Sequence, residues 1–161
     1  MTSVQKIGVF VDVQNIYYTT RDALGGSFDY REFWKEISML GEIALANAYA
    51  IDRQHEGQRK FQEALRKIGF EVKLKPFIQR ADGSAKGDWD VGIAVDVLQS
   101  VTRLDRIFLL SGDGDFDLLV EAVQTAHQVP VEVYGVEPLT ADSLIRVASA
   151  FHSIDQASLI K

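Results

Sequence analysis

The chain has 161 residues, 47% of them hydrophobic and 25% charged, and a formal net charge of -6. This is the composition of one globular domain with a full core, and it excludes an extensively disordered chain. The acidic balance argues against a general electrostatic grip on nucleic acid, leaving room only for a local basic rim around an acidic pocket. The absence of cysteine excludes disulfides and thiolate metal sites.

Five runs read as strands: KIGVFVDV (6–13), IALANAYAI (43–51), FEVKLKPFI (70–78), RIFLLSG (106–112) and PVEVYGV (130–136). The first and fourth are almost wholly apolar, as strands buried on both faces should be. The third alternates more and belongs nearer an edge. Helical patterns fill the gaps. FDYREFWKEISML (28–40) stops before Gly41 and HEGQRKFQEALRKI (55–68) before Gly69, both placed as C-caps. DWDVGIAVDVLQSVTR (88–103) and DFDLLVEAVQTAHQ (115–128) carry acids in their first turns, and LTADSLIRVASAFHSI (139–154) is the closing helix. The polar stretch 79–88 is the one long loop. The N-terminus runs into a strand rather than a signal peptide, and no apolar stretch approaches the roughly 20 residues that span a bilayer. The expectation is a single cytoplasmic domain, residues 1–161, with no membrane partner.

Strands alternating with helices imply an α/β fold whose parallel sheet is covered on both faces. Ligands of such sheets bind beyond the carboxyl ends of the strands, where the strand order switches. There the chain crowds like charge: SGDGDFDLLV (111–120) places three carboxylates in five positions. Two carboxylates about 4 Å apart repel by roughly 4 kcal/mol at an effective dielectric near 20. Asp12 ends the first strand, Asp113 and Asp115 follow the fourth, and Asp88 and Asp90 open the helix that feeds the fourth. All aim at one spot. An all-oxygen set suits magnesium or manganese, which would relieve the repulsion, activate water and hold a phosphodiester.

Each acid taken alone is equally well an N-cap or a first-turn charge. Asp12 is harder to dismiss, because an aspartate ending a central apolar strand needs a partner. Asn15 either reaches the same site or starts the next helix. Asp96, about 120° around a regular helix from Asp90, points elsewhere. Lys86 meets phosphate or is a plain loop lysine. Tyr17 and Tyr18 could stack bases, but at least one is expected in the core. Arg53, His55, Arg59, Lys60, Lys73, Lys75 and Arg80 are candidates for a basic rim and equally for solvated faces.

VFVDVQNIYY, KGDWDVGIAVDVL and SGDGDFDLLV, in this order, resemble the NYN domain family, also called LabA-like, of the PIN-like nuclease superfamily. The resemblance runs from the first strand to the last helix. It implies a three-layer α/β/α fold with a parallel sheet ordered 3-2-1-4-5, a magnesium or manganese site, and ribonuclease activity. By position it assigns Asp12, Asp90, Asp113 and Asp115 to the acidic set. It places Asn15 and Ser111 beside them and Lys86 ahead of the helix, making these three the candidate substrate contacts. Asp96 matches a recurrent aspartate. The longer KGDWD turn makes Asp88 a rival to Asp90, Asp117 joins the candidate metal set, and Ser149 stands where the family commonly has an aspartate.

The function expected is a metal-dependent ribonuclease, an endonuclease on RNA. The alternative is an RNA-binding or regulatory module using the same pocket without turnover. A phosphatase of the haloacid-dehalogenase kind is disfavoured, because its second aspartate would fall on Gln14. A homodimer paired through an exposed edge strand is the candidate assembly.

Overall fold

The computed structural model describes residues 4–52, 56–76, 78–79, 85–86 and 88–161. The chain begins with strand β1 (Lys6–Asp12), helices α1 (Val13–Leu24) and α2 (Tyr30–Ser38), and strand β2 (Glu42–Asp52). Helix α3 (Glu56–Ile68), strand β3 (Glu71–Pro76) and the two-residue strands β4 (Ile78–Gln79) and β5 (Ala85–Lys86) follow. The second half is α4 (Asp90–Ser100), β6 (Arg106–Leu110), α5 (Asp117–His127), β7 (Val131–Gly135), α6 (Asp142–Val147) and β8 (Ala150–Ser153).

The main sheet has six strands in the order β3-β2-β1-β6-β7-β8. Every neighbouring pair in it is parallel. β4 and β5 form a separate antiparallel pair, Ile78 opposite Lys86. The expected order 3-2-1-4-5 is present, with one further strand at its end, and β3 lies at the opposite edge as its alternation predicts.

The strand periodicity of two builds two cores. Val9 and Val11 of β1, Ala46 and Ala48 of β2, and Phe108 and Leu110 of β6 face one side with Ile16, Phe33, Ile37 and Leu65 from α1, α2 and α3. Phe10, Tyr49, Ile107, Leu109, Val131 and Val133 face the other, with Ile93, Val97, Val120, Val123 and Leu144 from α4, α5 and α6. The sheet is thus sandwiched in three layers. Among the described residues no helix is long and apolar enough to cross a membrane.

Two expectations on helix ends resolve differently. Gly69 does close α3: its φ is +136°, and it and Phe70 both donate to the Leu65 carbonyl, at 3.2 and 3.1 Å. Gly41 caps nothing, because α2 stops at Ser38 with Met39 still right-handed.

The closing helix is a correction. Residues 139–154 do not form one helix. α6 lasts six residues, Ala148 turns extended at φ -62° and ψ 145°, and β8 pairs with β7. Ser149 makes the turn, its backbone N–H donating to the Val131 carbonyl at 2.9 Å and its hydroxyl to the same oxygen at 2.8 Å. A β7 edge left bare would expose a row of unpaired backbone groups, and pairing with β8 satisfies them. Phe151 packs on the second core and His152 points away from it, so this strand alternates over too few residues to outweigh the helical period.

Candidate metal and phosphodiester site

β1 and β6 lie side by side at the centre of the sheet, with β2 beyond one and β7 beyond the other. This is the switch point of the strand order, and both strands end there in aspartate-bearing turns. Asp12 is the last residue of β1 and the N-cap of α1, its Oδ1 3.5 Å from the Asn15 backbone N–H. Asp113 follows β6 and caps the short turn before α5, accepting from the Asp115 backbone N–H at 2.9 Å. Asp90 opens α4, which lies across the second core face.

These three segments, far apart in sequence, bring Asp12, Asp90 and Asp113 together. One carboxylate oxygen of each lies within 4.8 Å of the others. Asp12 is the most enclosed of the three. Burial pushes its pKa up to about 6, against the Ser111 and Asn15 hydrogen bonds that favour the charged form, and the charges of Asp113 and Asp88 push the same way as burial. Asp90 is pushed up to about 7, first by burial and then by a hydrogen bond with Asp113 and that neighbour's charge. Asp12 and Asp90 are therefore harder to ionise than isolated aspartates.

The loop that carries Asp113 is pinned from three sides. The Ser111 hydroxyl donates to Asp12 Oδ2 at 3.1 Å and accepts from the Asp113 backbone N–H at 3.1 Å. Asn15 Oδ1 accepts from the Gly112 backbone N–H at 2.8 Å. The Gly112 carbonyl accepts from the Ala141 backbone N–H at 3.0 Å. Gly112 and Gly114 are glycines because the segment 139–141 lies against them: a Cβ would stand 2.9 Å from the Leu139 carbonyl and 2.8 Å from the Ala141 methyl, respectively. Asn15 thus both starts a helix and reaches the site, and the hydrogen bonds described for Asn15 and Ser111 run inside the protein.

The other candidates fall as follows. Asp88 is exposed, and its Oδ1 accepts from the Asp90 backbone N–H at 3.2 Å, so it positions the start of α4 while Asp90 enters the triad. Asp115 is exposed and Asp117 half-buried at the start of α5; neither belongs to the triad within 4.8 Å. The backbone of Lys86 pairs with Ile78 in the small hairpin, while its side chain lies outside the described residues, as do Arg53, His55 and Arg80. Arg59 and Lys60 are exposed on α3. Tyr17 and Tyr18 are both exposed, at 48% and 41%, against the expectation that one is core. The buried face of α1 is instead Val13, Ile16 and Thr20, whose hydroxyl is satisfied by the Ile16 carbonyl at 2.7 Å.

Asp96 does point elsewhere. Its Oδ2 accepts from Lys73 Nζ and from the Tyr49 hydroxyl, both at 2.8 Å, and Asn47 Nδ2 donates to that hydroxyl at 3.0 Å. Two turns earlier, Trp89 Nε1 donates to the Ala50 carbonyl at 2.9 Å, and Lys75 Nζ sits 4.5 Å above the indole. Lys75 also donates to the Asp88 carbonyl at 3.2 Å. Together these tie α4 to β2 and β3 and hold Asp90 over the sheet end. The sequence reading missed Tyr49, Trp89 and the 139–141 clamp. The only signal was strand alternation, which places Tyr49 of β2 and Lys73 of β3 toward the α4 face.

Comparison with known proteins fits this arrangement. A solved structure of a protein of unknown function from Vibrio parahaemolyticus superposes with a TM-score of 0.93 at 50% identity, over 99% of this chain and 100% of that one. The "Low amplitude and bright protein LabA" of Synechococcus elongatus is 30% identical over 147 residues, 86% of this chain and 78% of that protein. The pattern of the NYN domain matches residues 6–155, which take in the triad, the loop that carries Asp113 and all six strands of the main sheet. By these matches the chain belongs to the NYN domain family.

Proposed function

We propose that this protein is a divalent-metal-dependent ribonuclease, an endonuclease that hydrolyses RNA phosphodiesters at the Asp12, Asp90 and Asp113 site. The observation that carries the reading is the convergence itself, three carboxylates within 4.8 Å supplied by three separate segments. None of the described ion pairs places a lysine, arginine or histidine on them. The family is PIN-like and nuclease-type, which supports the same reading.

The donor set fits a hard divalent ion such as magnesium or manganese: it is all oxygen, it is partly enclosed, and burial together with the neighbouring carboxylates raises the pKa values of Asp12 and Asp90. Asp12, Asp90 and Asp113 would hold that ion. When bound, it would supply Lewis acidity toward a phosphodiester and lower the pKa of water. Ser111 and Asn15 fix Asp12 and the 112–114 turn in place before any ligand arrives, which spares reorganisation during the reaction. Asp115, exposed two residues beyond Asp113, is assigned to orient the attacking water, and Asp117 adds negative charge near the start of α5. Lys86, ahead of α4, is assigned to the phosphate backbone.

One other reading fits the same pocket, an RNA-binding or regulatory module without turnover, and the net charge of -6 favours a regulatory role over a tight general grip on RNA. One experiment separates them. Labelled single-stranded and structured RNA is incubated with manganese, magnesium or EDTA, using wild type and Asp113→Asn. The ribonuclease reading expects metal-dependent cleavage that disappears in the variant. Cleavage that survives Asp113→Asn contradicts the site, and RNA binding without cleavage in any metal supports the module.

A further inference from the structure

Two large aromatic rings stand open on the helix that starts at the site. Tyr17 and Tyr18 expose 48% and 41% of their surface. Their centroids are 5.3 Å apart with the rings inclined at 76°, so they meet edge to face and each keeps at least one face uncovered by the other. The core explains neither, since α1 buries Val13, Ile16 and Thr20 instead. Arg21 organises them: its Nη1 donates to the Tyr17 hydroxyl at 3.0 Å and its guanidinium lies 5.6 Å from the Tyr17 ring centroid.

Their position follows from helix geometry. Asp12 caps α1, and Asn15 in its first turn holds the Gly112 backbone of the site loop. Tyr18 is three residues beyond Asn15, hence on the same side of the helix and about 4.5 Å further along its axis. A flat ring therefore stands one turn beyond Asn15 and about 9 Å along the helix axis from Asp12, within a nucleotide or two of a phosphodiester held at the triad, on a helix that also carries the Arg21 guanidinium. The protein leaves exposed here an aromatic face and a guanidinium, the two groups that single-stranded nucleic acid engages by base stacking and backbone contact.

We propose that Tyr18, buttressed by Tyr17 and Arg21, is a stacking platform for an unpaired base next to the phosphodiester at the acidic triad, so that the preferred substrate is single-stranded RNA. This deepens the ribonuclease reading and rests on it for the position of the phosphodiester. A base in a duplex has both faces covered by its neighbours, whereas an unpaired base can lay one face on Tyr18. Stacking is sequence-tolerant, so the platform selects strandedness rather than sequence.

The test is fluorescence anisotropy with a short labelled mixed-sequence RNA, as a single strand and annealed to its complement. Wild type, Tyr18→Ala, Tyr18→Leu and Tyr18→Phe are compared in manganese and in EDTA, after circular dichroism confirms folding. Base-on-aromatic stacking is worth about 1–3 kcal/mol, so Tyr18→Ala and Tyr18→Leu should weaken single-strand binding about tenfold. Tyr18→Phe should bind as wild type does, and duplex binding should not change. Tyr18→Leu keeps apolar bulk without a flat π face, so it separates stacking from packing. A wild type that does not favour the single strand, or a Tyr18→Leu protein that binds it normally, overturns the proposal. Loss of binding in Tyr18→Leu together with no cleavage by the wild type would keep the platform and remove the nuclease.

Discussion

Two acidic clusters in this protein face opposite electrostatic fates. On β7, Glu132 is buried at 6% exposure, and Arg106 from β6 and His152 from β8 both reach it, His152 Nε2 at 2.7 Å. Burial alone would raise the pKa of Glu132, yet the hydrogen bonds and charges of its two partners outweigh it and the pKa falls below the ordinary value. At the carboxyl end of β1 and β6, Asp12, Asp90 and Asp113 come together with no such partner among the described residues, and two of them are pushed up. Asp96 resembles Glu132, being satisfied by Lys73 and Tyr49. Among the described residues the protein thus neutralises Glu132 and Asp96 with its own cations and sets none on the triad. This difference, with Asp113 in a loop pinned by Ser111, Asn15 and Ala141, is what the proposed metal site rests on.

The comparison is broken most severely by neutralising a triad member. Asp12→Asn or Asp113→Asn should abolish metal-dependent RNA cleavage, by about a thousandfold or more if the ion supplies several kcal/mol of transition-state stabilisation. The same substitution should not unfold the apo protein. Asp12→Asn removes a buried like charge and should raise the melting temperature in EDTA at pH 8 by a few degrees.

The opposite cluster should respond oppositely. Glu132→Leu leaves the half-buried Arg106 without its partner, which costs about 3 kcal/mol, the low end for breaking a buried pair. For a chain of this size that is a fall of about 10 °C in melting temperature. Adding Arg106→Leu should recover most of the loss, and neither variant should alter metal binding. Calorimetry and thermal melts check both halves.

pH sharpens the contrast. The folded-state pKa values of Asp12 and Asp90, about 6 and about 7, lie above the ordinary 3.8. Their contribution to stability is fully present below about pH 4 and is lost as pH rises through 6 and 7. Glu132 has a lowered pKa, so its contribution is present at neutral pH and is lost as pH falls through that value. A saturating divalent ion should raise the melting temperature more at pH 8 than at pH 5, because it binds the deprotonated triad.

The smallest effect expected is at Asp96. Asp96→Asn weakens a half-exposed pair with Lys73, worth about 1 kcal/mol, and loosens the tie between α4 and the sheet. Melting should fall by about 3 °C, and metal affinity should drop about tenfold as Asp90 loses its support.

Much of this was legible in the sequence, for physical reasons. β1 and β6 announce themselves because strands covered on both faces are apolar throughout, and an aspartate at such a strand's end needs an explanation. β8 was hidden because AFHS is four residues long inside a stretch of helical period, and only the bare edge of β7 makes it a strand. Asp88 and Asp90 were indistinguishable by spacing, and the geometry of one turn decides which enters the triad. At least one of Tyr17 and Tyr18 is expected in the core because aromatics at helical spacing usually are, and Thr20 takes that place, its hydroxyl satisfied by the Ile16 carbonyl. Asp96 could be turned away from Asp90 by helix angle, but its partners on β2 and β3 are long-range and left no local trace.

The most direct test of the central claim is calorimetric titration of manganese into wild type and Asp90→Asn at pH 8. The account predicts saturable binding by the wild type, with binding weakened or lost when Asp90 is neutralised, and proton release on binding that grows as the pH is lowered toward 7. Absence of saturable binding, or equal binding by the variant, would contradict it and leave the triad an acidic cluster with no ion to complete it.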